Sequence, residues 1–380
     1  MRVLIQNRPN MFKVPGGDTV QLLKTKEKLE NLGVEVDVTT EIYPKNIDKY
    51  DIVHIFNVTR INECYLQFWN AKKMNKKIVI SPIYHSKEQL DEYEKKALRG
   101  IVKILKNFLK NNEILEIAKA FFRVLKNISG FKGLIKQIFI GYTNMQKNVL
   151  LNADMILPNS QMELEFIERE LGLKIDKRKV RIIPNAVEIG KEVDQIDKNI
   201  FFSKFGVTDF VFCVGRIEPL KNQLGIIEAL KDTKYKIVFA GKLNKKHKKY
   251  CKEFLNKVEN NENIYYVDQL AENMLFSAYR NAKVTVISSW FETTGLVGLE
   301  AAKMGSNLVI TEKGYTRDYY GDYVEYCSPD DHESILKAIE KTYNKPVNDT
   351  LIEKLNDDFN WDKTGMLTKY AYDDLMSGVN

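Results

Sequence analysis

The sequence predicts an α/β protein with two domains, each built on a doubly wound parallel sheet. Its 380 residues are enough for two domains of ordinary size, each with its own core. A hydrophobic content of 44% beside 29% charged residues is typical of a globular protein. Short apolar runs alternate with helical stretches along the chain, and this pattern favours parallel strands covered by helices on both faces.

The apolar runs locate the strands of the two sheets. In the first half they are Val3 to Ile5, Val34 to Val38, Ile52 to Phe56, Ile78 to Ile80, Met155 to Leu157 and Arg181 to Ile183. In the second half they are Phe210 to Val214, Lys236 to Ala240, Ile264 to Val267, Val284 to Ile287 and Asn307 to Thr311. The predicted boundaries are 1–187 for the first domain, 188–200 for a polar linker, 201–360 for the second domain and 361–380 for a last helix.

The composition disfavours several kinds of site. The four cysteines are scattered, with no C-x-x-C pair and no Cys/His cluster at zinc spacing. No G-x-G-x-x-G follows the first strand, which disfavours a nicotinamide or flavin cofactor. No D-x-D pair is present to carry a metal. No apolar run approaches the roughly 20 residues that span a bilayer. We therefore expect a cytoplasmic protein whose membrane contact, if any, is peripheral and on the inner face.

The stretch from Ser289 to Ala302 combines a strand end, a glycine-bearing turn and a helix predicted from Leu299 to Met304. The unpaired N–H groups of a first helical turn and the positive end of the helix dipole attract anions. Glu292 and Glu300 bracket the turn, and carboxylates accept hydrogen bonds from hydroxyl groups. The pattern predicts a site for a ligand that carries phosphate and hydroxyls. The plainer alternative is an ordinary strand, turn and helix with solvated acids.

Three further motifs follow predicted strands. Arg216 and Lys221 come after the strand that ends at Gly215, and Arg and Lys together suit a phosphate group, although surface salt bridges are the alternative. Gly16 and Gly17 follow the first strand, where adjacent glycines allow close backbone approach or positive φ, or simply form a turn. His85 follows the strand Ile78 to Ile80, at the edge where open α/β sheets bind ligands, or it is a loop residue satisfied by backbone.

The segment from Lys95 to Lys147 is strongly basic. It holds twelve Lys or Arg and two acids, so its own positive charge exceeds the net +7 of the whole chain. Lys96, Arg99, Lys103, Lys106 and Lys110 are spaced to form one cationic helical face. The apolar residues recur at helical spacing opposite the cations, which suits a helix lying in an anionic membrane interface. The alternative is that the apolar stripes pack on the domain while the lysines are solvated. Nucleic acid is disfavoured as a partner, because the aromatic residues are not interleaved with the cations.

These motifs, in this order, resemble those of the retaining glycosyltransferases of family 4, which have the two-domain GT-B fold. Gly215-Arg216…Lys221 and Glu292…Glu300 carry the resemblance, which runs from Met1 to about Leu375 with 88–148 as a basic helical elaboration of the first domain. It implies two Rossmann-like domains facing a central cleft. It also implies transfer of a sugar from a nucleotide-sugar to a hydroxyl group with retained anomeric configuration and without a metal or other cofactor. UDP is expected as the nucleotide because it is the commonest in the family.

The resemblance also implies residue roles. Glu292 would hold donor-sugar hydroxyls near the anomeric carbon, and His85 would lie close to the donor sugar and β-phosphate. The donor-binding residues it implies are Gly16, Gly17, Arg216, Lys221, Thr294, Gly295, Leu296, Val297 and Glu300, the last at the ribose.

The basic helices indicate an acceptor at a membrane, such as a lipid-linked saccharide, with a soluble saccharide as the milder alternative and cell-surface glycan synthesis as the setting. Two other functions stay open. One is another GT-B activity, an epimerase or a phosphorylase, and the other is a non-catalytic module that binds nucleotide-sugar or lipid.

Overall fold

The computed structural model describes residues 1–97, 112–190 and 196–378. The described residues form two compact units. The first unit comprises those of Met1–Ser86, Arg99–Asn185 and Trp361–Asn380, and the second those of Lys87–Leu98 and Ala186–Asn360. Each unit is an α/β domain with a parallel sheet, so the predicted fold class is confirmed.

The elements are numbered here in chain order. The strands are β1 (Arg2–Gln6), β2 (Glu35–Thr39), β3 (Ile52–Phe56), β4 (Lys77–Ser81), β5 (Met155–Ile156), β6 (Phe210–Val214), β7 (Lys236–Ala240), β8 (Ile264–Val267), β9 (Ala282–Ile287), β10 (Asn307–Thr311) and β11 (Glu325–Cys327). The helices are α1 (Gly17–Asn31), α2 (Ile61–Lys73), α3 (Lys87–Lys96), α4 (Asn112–Lys126), α5 (Phe131–Ile140), α6 (Tyr142–Asn152), α7 (Gln161–Leu171), α8 (Ile200–Phe205), α9 (Gln223–Leu230), α10 (Lys248–Glu259), α11 (Glu272–Asn281), α12 (Leu296–Lys303), α13 (Thr316–Tyr320), α14 (His332–Tyr343), α15 (Asp349–Asp358) and α16 (Trp361–Ser377).

The first unit has a five-stranded sheet in the order β2-β1-β3-β4-β5, and every pair is parallel. All five residues of β3 are buried, because helices cover both faces of the sheet. The ring nitrogens of His54 in β3 lie 2.7 Å from the Tyr372 hydroxyl and 2.9 Å from the Ser81 hydroxyl. Burial lowers the pKa of His54 to about 3. His54 is therefore a neutral structural residue.

The strand predicted from Arg181 to Ile183 does not form. Those residues run beside β5, where the Arg181 amide donates to Ile156 O at 3.1 Å and the Ile183 amide donates to Pro158 O at 2.8 Å. Pro158 has no N–H to donate in return, so the ladder cannot continue. The apolar run is real, but it makes only an isolated bridge between Ile156 and Val180.

The basic segment is divided between the two units. The predicted cationic face formed by Arg99, Lys103, Lys106 and Lys110 lies outside the described residues, as does part of the predicted linker, 191–195. Residues 87–97 group with the second unit, which differs from the prediction that 88–148 elaborate the first domain. The rest of the segment forms α4, α5 and α6 in the first unit. Along the described ranges, no helix is both long enough and apolar enough to cross a membrane.

The second unit has a six-stranded parallel sheet in the order β11-β10-β9-β6-β7-β8. Alternate residues of strand β6 contribute to the two layers of the core of this unit, one on each face of the sheet. Phe210 and Phe212 pack on one face with α8, α11 and α12, whereas Val211 and Cys213 pack on the other with α9, α10 and α14. Side chains of a strand point alternately to opposite faces, so a continuous apolar run supplies both layers.

Candidate functional site

The two sequence motifs of the second unit follow neighbouring strands in the middle of its sheet. β6 pairs with β9, and the chain runs from β6 toward one edge of the sheet and from β9 toward the other. Loops that leave such a switch point diverge and open a crevice, where open α/β sheets bind ligands. Residues 215–222 follow β6 and residues 288–295 follow β9. Both predicted motifs therefore border one crevice.

An ion pair joins the two loops. The Lys221 ammonium contacts the Glu292 carboxylate, and the Trp290 amide donates to Leu220 O at 2.9 Å. The Lys221 side chain is 26% exposed and that of Glu292 is 12% exposed. Within the described part of the chain, each of these charges has the other as its only side-chain partner. The ammonium and the carboxylate therefore both keep unused hydrogen-bonding capacity.

The loop after β6 combines a backbone held by neighbouring residues with an exposed cation. Gly215 has φ +147°. A Cβ at Gly241 in the next loop would lie 2.1 Å from Gly215 O, so the two loops approach so closely that only glycine fits at 241. The Gln223 side chain donates to Arg216 O at 2.9 Å. The Arg216 guanidinium lies 3.2 Å from the Glu218 carboxylate but is 63% exposed. Arg216 can therefore turn toward an anion without disturbing its backbone.

Glu292 is positioned by the loop after β10. Its amide donates to Lys313 O at 3.3 Å, and its carbonyl accepts from the Tyr315 amide at 3.0 Å. Gly314 between them has φ +98°, and a Cβ there would lie 1.7 Å from Glu292 O. Only glycine fits at that position. Sequence reasoning gave Gly314 no role, although a glycine three residues after a strand is a usable signal for close backbone approach.

The helix of the motif begins earlier than predicted. α12 starts at Leu296 rather than Leu299, with Gly295 at φ +71° as its N-cap. The amide of Gly298 donates to Gly295 O at 2.7 Å, whereas the amides of Leu296 and Val297 have no partner within the described residues. These two amides and the helix dipole form the predicted anion-binding turn, with Thr294 buried directly before it.

The buried Tyr320 holds this turn, and the sequence analysis did not predict its role. The Tyr320 hydroxyl donates to Gly295 O at 2.7 Å, and a Cβ at Gly298 would lie 2.6 Å from that hydroxyl oxygen. Burial raises the pKa of Tyr320, and the nearby charges of Glu292 and Glu300 add to the shift. Both glutamates of the motif therefore lie near Tyr320.

Glu300 is a largely buried carboxylate with one tyrosine partner. The Tyr279 hydroxyl donates to Glu300 Oε2 at 3.3 Å. Burial raises the pKa of Glu300, the Tyr279 hydrogen bond opposes that shift, and the charge of Glu272 adds to it. A ligand that donates hydrogen bonds to Glu300 would stabilise its charged form.

Helix α3 contacts the same loops of the second unit. Gln89 Oε1 accepts from the Gly314 amide at 2.6 Å, and Glu92 pairs with Lys313 at 2.9 Å. The Tyr93 ring lies 6.3 Å from that of Trp290. Lys96, predicted to lie on a cationic helical face, pairs instead with Glu92 and Asp330. This helix therefore braces the turn that carries Glu292.

The first unit has its own switch point, between β1 and β3, and the loop with Gly16 and Gly17 follows β1. Gly16 has φ −146°, an extended conformation open to any residue, so positive φ is not the reason for a glycine there. Gly17 is the first residue of α1, and a Cβ on it would meet nothing within 4 Å. The space in front of Gly17 is compatible with close approach of a ligand.

An ion pair that the sequence did not indicate organises this loop. Arg8 binds Asp18 through Nε at 2.7 Å and through Nη2 at 3.0 Å, and both side chains are at least 90% buried. Arg8 also donates to Val14 O at 2.9 Å, and Asn57 donates to Asp18 at 3.3 Å. Burial acts to raise the pKa of Asp18, but the hydrogen bonds and charge of Arg8 outweigh it and the pKa is lowered.

His85 lies apart from these loops, four residues after β4, and its side chain is exposed. The residues on both sides of it are anchored. The Tyr84 amide donates to Glu163 at 2.6 Å, and the Ser86 hydroxyl donates to Glu170 at 2.5 Å. Glu163 is fully buried without a cation, and burial raises its pKa to about 7.

The structure thus brings eight of the predicted residues together at the crevice of the second sheet. They are Arg216, Lys221, Glu292, Thr294, Gly295, Leu296, Val297 and Glu300. Gly16 and Gly17 lie at the switch point of the first sheet, and His85 follows a different strand of that sheet. In the part of the chain that the structure describes, no three His, Cys, Asp or Glu side chains are placed to hold a metal ion.

Comparison with known proteins gives a family match for part of the chain and a fold for the whole of it. The family model described as Glycosyl transferases group 1 matches residues 196–359. No curated protein matches the chain by sequence.

Among solved structures, sucrose-phosphate synthase from Thermosynechococcus elongatus is 13% identical with a TM-score of 0.71, over all of both chains. HepE from Anabaena, in complex with UDP, is 12% identical with a TM-score of 0.68, over 98% of this chain and 100% of that one. The lipopolysaccharide outer core galactosyltransferase WaaB is 12% identical with a TM-score of 0.62, over all of both chains. Residues 196–359 thus match the Glycosyl transferases group 1 family, and the chain as a whole has the GT-B fold of two parallel-sheet α/β domains.

Proposed function

We propose that the protein is a glycosyltransferase that moves a sugar from UDP-sugar to a hydroxyl group of a saccharide or lipid-linked acceptor, in cell-surface glycan synthesis. One observation carries the proposal: Lys221 and Glu292 meet at the switch point beside the open start of α12. Cations and free amides suit a diphosphate, and carboxylates suit hydroxyls. A nucleotide-sugar presents both groups next to each other.

The phosphate side of this site consists of Arg216, Lys221 and the amides of Leu296 and Val297. The nucleoside diphosphate is the leaving group, and negative charge develops on it as the bond to the sugar breaks. Donors that are already aimed at that charge lower the barrier without reorganising. We expect the reaction to proceed without a metal, because these groups supply the positive charge.

The hydroxyl side consists of Glu292 and Glu300. In the free protein Glu292 is the counter-ion of Lys221. When a donor binds, Lys221 turns to the phosphate and Glu292 accepts hydrogen bonds from sugar hydroxyls near the anomeric carbon. Glu300 accepts from the ribose hydroxyls, which reduces the cost of its buried charge. Gly16, Gly17 and His85 remain predictions for the donor in the first unit.

The proposed step retains the configuration of the sugar. The bond between the anomeric carbon and the β-phosphate oxygen breaks, and the acceptor oxygen bonds to the same face of that carbon. The acceptor proton passes to the departing phosphate, so the products are the glycoside and UDP. HepE, a protein of the same fold with solved complexes with UDP and with UDP-glucose, supports a UDP-sugar as donor.

Thermal shifts with UDP, GDP and ADP, each with excess EDTA, test the donor site. We expect UDP alone to raise the melting temperature, and EDTA to leave the shift unchanged. No shift with any nucleotide would contradict the proposal. Product assays then separate the alternatives: a transferase needs an acceptor, an epimerase converts the donor without one, and a phosphorylase needs inorganic phosphate.

A further inference from the structure

The helical hairpin of the first unit, residues 112–140, exposes an apolar surface. It consists of α4, a 3₁₀ turn at Ile128–Gly130 and α5. The exposed apolar residues of α4 recur at helical spacing and form one stripe, and those of α5 form a second. They are Ile114, Phe121, Phe122 and Leu125 on α4, Ile128 in the turn, and Phe131, Ile135, Ile138 and Phe139 on α5, each between 40% and 84% exposed. We call these nine residues the hairpin face.

The hairpin face is not the side by which the hairpin packs on its unit. Its inward side is formed by Ala120, Val124 and Leu134, which make a small core of their own. Gly133 of α5 lies against α2, where a Cβ would meet Asn62 O at 2.2 Å. Among the residues that the structure describes, the alternative that the apolar stripes pack on the domain accounts for the inward residues only. Nine large apolar side chains at the surface need another partner.

The charge around the hairpin face is positive. Residues 112–140 contain five Lys or Arg and two acids. Glu113 accepts from the Thr143 amide at 3.1 Å and caps α6, and Glu116 pairs with Lys119 at 2.7 Å. Lys132 and Lys136 on α5 are exposed beside the apolar residues. A second copy of this chain would present the same positive charge, so the face does not suit self-association.

We propose that the hairpin face docks on an anionic lipid bilayer. Phe, Leu and Ile side chains at this exposure enter the boundary between head groups and acyl chains, and the lysines attract the negative surface of the bilayer. An acidic protein partner could match the charge, but nine bulky aromatic and aliphatic side chains exposed along two helices suit a fluid apolar boundary beneath an anionic surface. The helices lie on the membrane and do not cross it.

A cavity at the turn of the hairpin extends the proposal to the acceptor, and this step rests on the proposed function. The cavity, of about 620 Å³, lies between the turn and the loops that follow β1 and β2. Ile128 and Phe131 belong both to the cavity and to the hairpin face, and Lys132 lies 6.0 Å from the centre of the Tyr43 ring. Docking would bring the cavity mouth to the membrane surface. The acceptor class that fits is a saccharide on a membrane lipid.

Flotation of the full chain with vesicles tests the docking without any substrate. The probes are phosphatidylcholine vesicles and equimolar phosphatidylcholine–phosphatidylglycerol vesicles. We expect at least about fivefold more protein on the anionic vesicles, and loss of that excess in about 1 M NaCl, where screening is strong. Equal binding to both kinds of vesicle, or none to either, would overturn the proposal.

Matched variants locate the surface. Phe122→Ser/Phe139→Ser and Lys136→Glu should each reduce binding to anionic vesicles by about fivefold or more. Phe202→Ser and Lys249→Glu, exposed residues of the second unit, are the controls and should bind as the unchanged chain does. Wild-type binding by the hairpin variants would refute the assignment of this face. If the hairpin variants no longer bind vesicles and also change from dimer to monomer in light scattering, the hairpin face binds a second copy of the chain and the proposal is wrong.

The UDP thermal shift separates this proposal from the proposed function. The hairpin variants should keep the UDP shift, because the residues assigned to the donor lie elsewhere. Vesicle binding without any UDP shift would leave the docking standing while the donor site fails. A UDP shift without vesicle binding would support the donor site and refute the docking.

Discussion

Each of the two parallel sheets has an ion pair at its switch point, and the two pairs differ in how fully they are engaged. Arg8 and Asp18 in the first unit make two mutual hydrogen bonds and several more to neighbouring loops, and both are buried. Lys221 and Glu292 in the second unit share a single contact and are partly exposed. A saturated pair fixes a loop, whereas an unsaturated pair can exchange its partner for a ligand. The same position in two sheets thus serves stability in one and binding in the other.

Replacing Glu292 gives the largest expected effect on activity. Glu292→Gln keeps the shape of the side chain but removes its charge, so we expect sugar transfer to fall by about 10²- to 10³-fold. UDP should bind the variant at least as tightly as the unchanged chain, because UDP carries no donor sugar and Lys221 no longer has a charged partner to leave. Transfer rates and UDP titrations measure the two effects. Glu333→Gln, an exposed glutamate of the same unit, is the control, and retained transfer by the Glu292 variant would refute its role.

Disrupting the Arg8–Asp18 pair of the first unit should lower the stability of the protein. Arg8→Ala leaves the buried Asp18 carboxylate without its cation, so we expect a loss of about 3–5 kcal/mol in the free energy of unfolding. Urea denaturation measures it. Arg178→Ala is the matched control, because its pair with Asp176 is exposed and should contribute less than about 1 kcal/mol. A loss as small as that of the control would show that the Arg8 pair does not fix the loop.

A second buried carboxylate of the first unit sharpens the comparison through pH. Glu163 has no cation, and burial raises its pKa from 4.5 to about 7, whereas Asp18 has one and its pKa is lowered. Between pH 4.5 and 7 folded Glu163 holds a proton that the unfolded chain has released. The contribution of Glu163 to the free energy of unfolding is therefore fully present below pH 4.5. It is lost as the pH rises through 7, by on the order of 3 kcal/mol.

Urea titrations from pH 4.5 to 8 test this for Glu163. Glu163→Gln should be less stable at low pH, because its amide nitrogen cannot accept from a backbone N–H, but it should lose that part of the pH slope. An unchanged slope would mean that Glu163 is ionised throughout. The pH dependence that Asp18 contributes has the opposite sign. Because the pKa of Asp18 is lowered in the folded protein, the group adds stability above its unfolded-state pKa, and that stability is lost as the pH falls through its folded-state pKa.

The smallest effect is expected at Arg216. Its guanidinium is exposed and its loop is held by backbone contacts, so Arg216→Ala should leave the melting temperature unchanged. The KM for the donor should rise by about tenfold, because one charged partner of the diphosphate is lost. A lowered melting temperature with an unchanged KM would show that Arg216, like Arg8, stabilises the fold and does not bind the donor.

The sequence predicted features that depend on local pattern. The strand runs, the motif loops of the second unit and the turn at Glu292 were found because apolar runs and glycine positions are local signals. The prediction of a strand from Arg181 to Ile183 failed because Pro158, just after the neighbouring strand β5, lacks a donor, which the run itself does not reveal. The start of α12 was placed three residues late because its N-cap, Gly295, has no side chain that would mark a helix start.

Features that depend on tertiary contact were not predictable in this way. The Arg8–Asp18 pair joins a loop residue to the first turn of α1, and Asn57 reaches Asp18 from the loop after β3. Tyr320 reaches Gly295 from a helix 25 residues away, and α3 packs on the second unit although the sequence on both sides of it belongs to the first. The apolar stripes of the hairpin were visible in the sequence, but only the fold shows that they point outward.

The proposed function requires the Lys221–Glu292 pair to open to a nucleoside diphosphate. This is measured by calorimetric titration of UDP, in EDTA, into the wild-type chain and into Lys221→Met, with Lys246→Met as the surface control. We expect UDP to bind the wild type and the control, and to bind Lys221→Met at least about tenfold more weakly, a difference of about 1.4 kcal/mol. Equal affinity in all three proteins would show that the pair is a structural contact like that of Arg8 and Asp18.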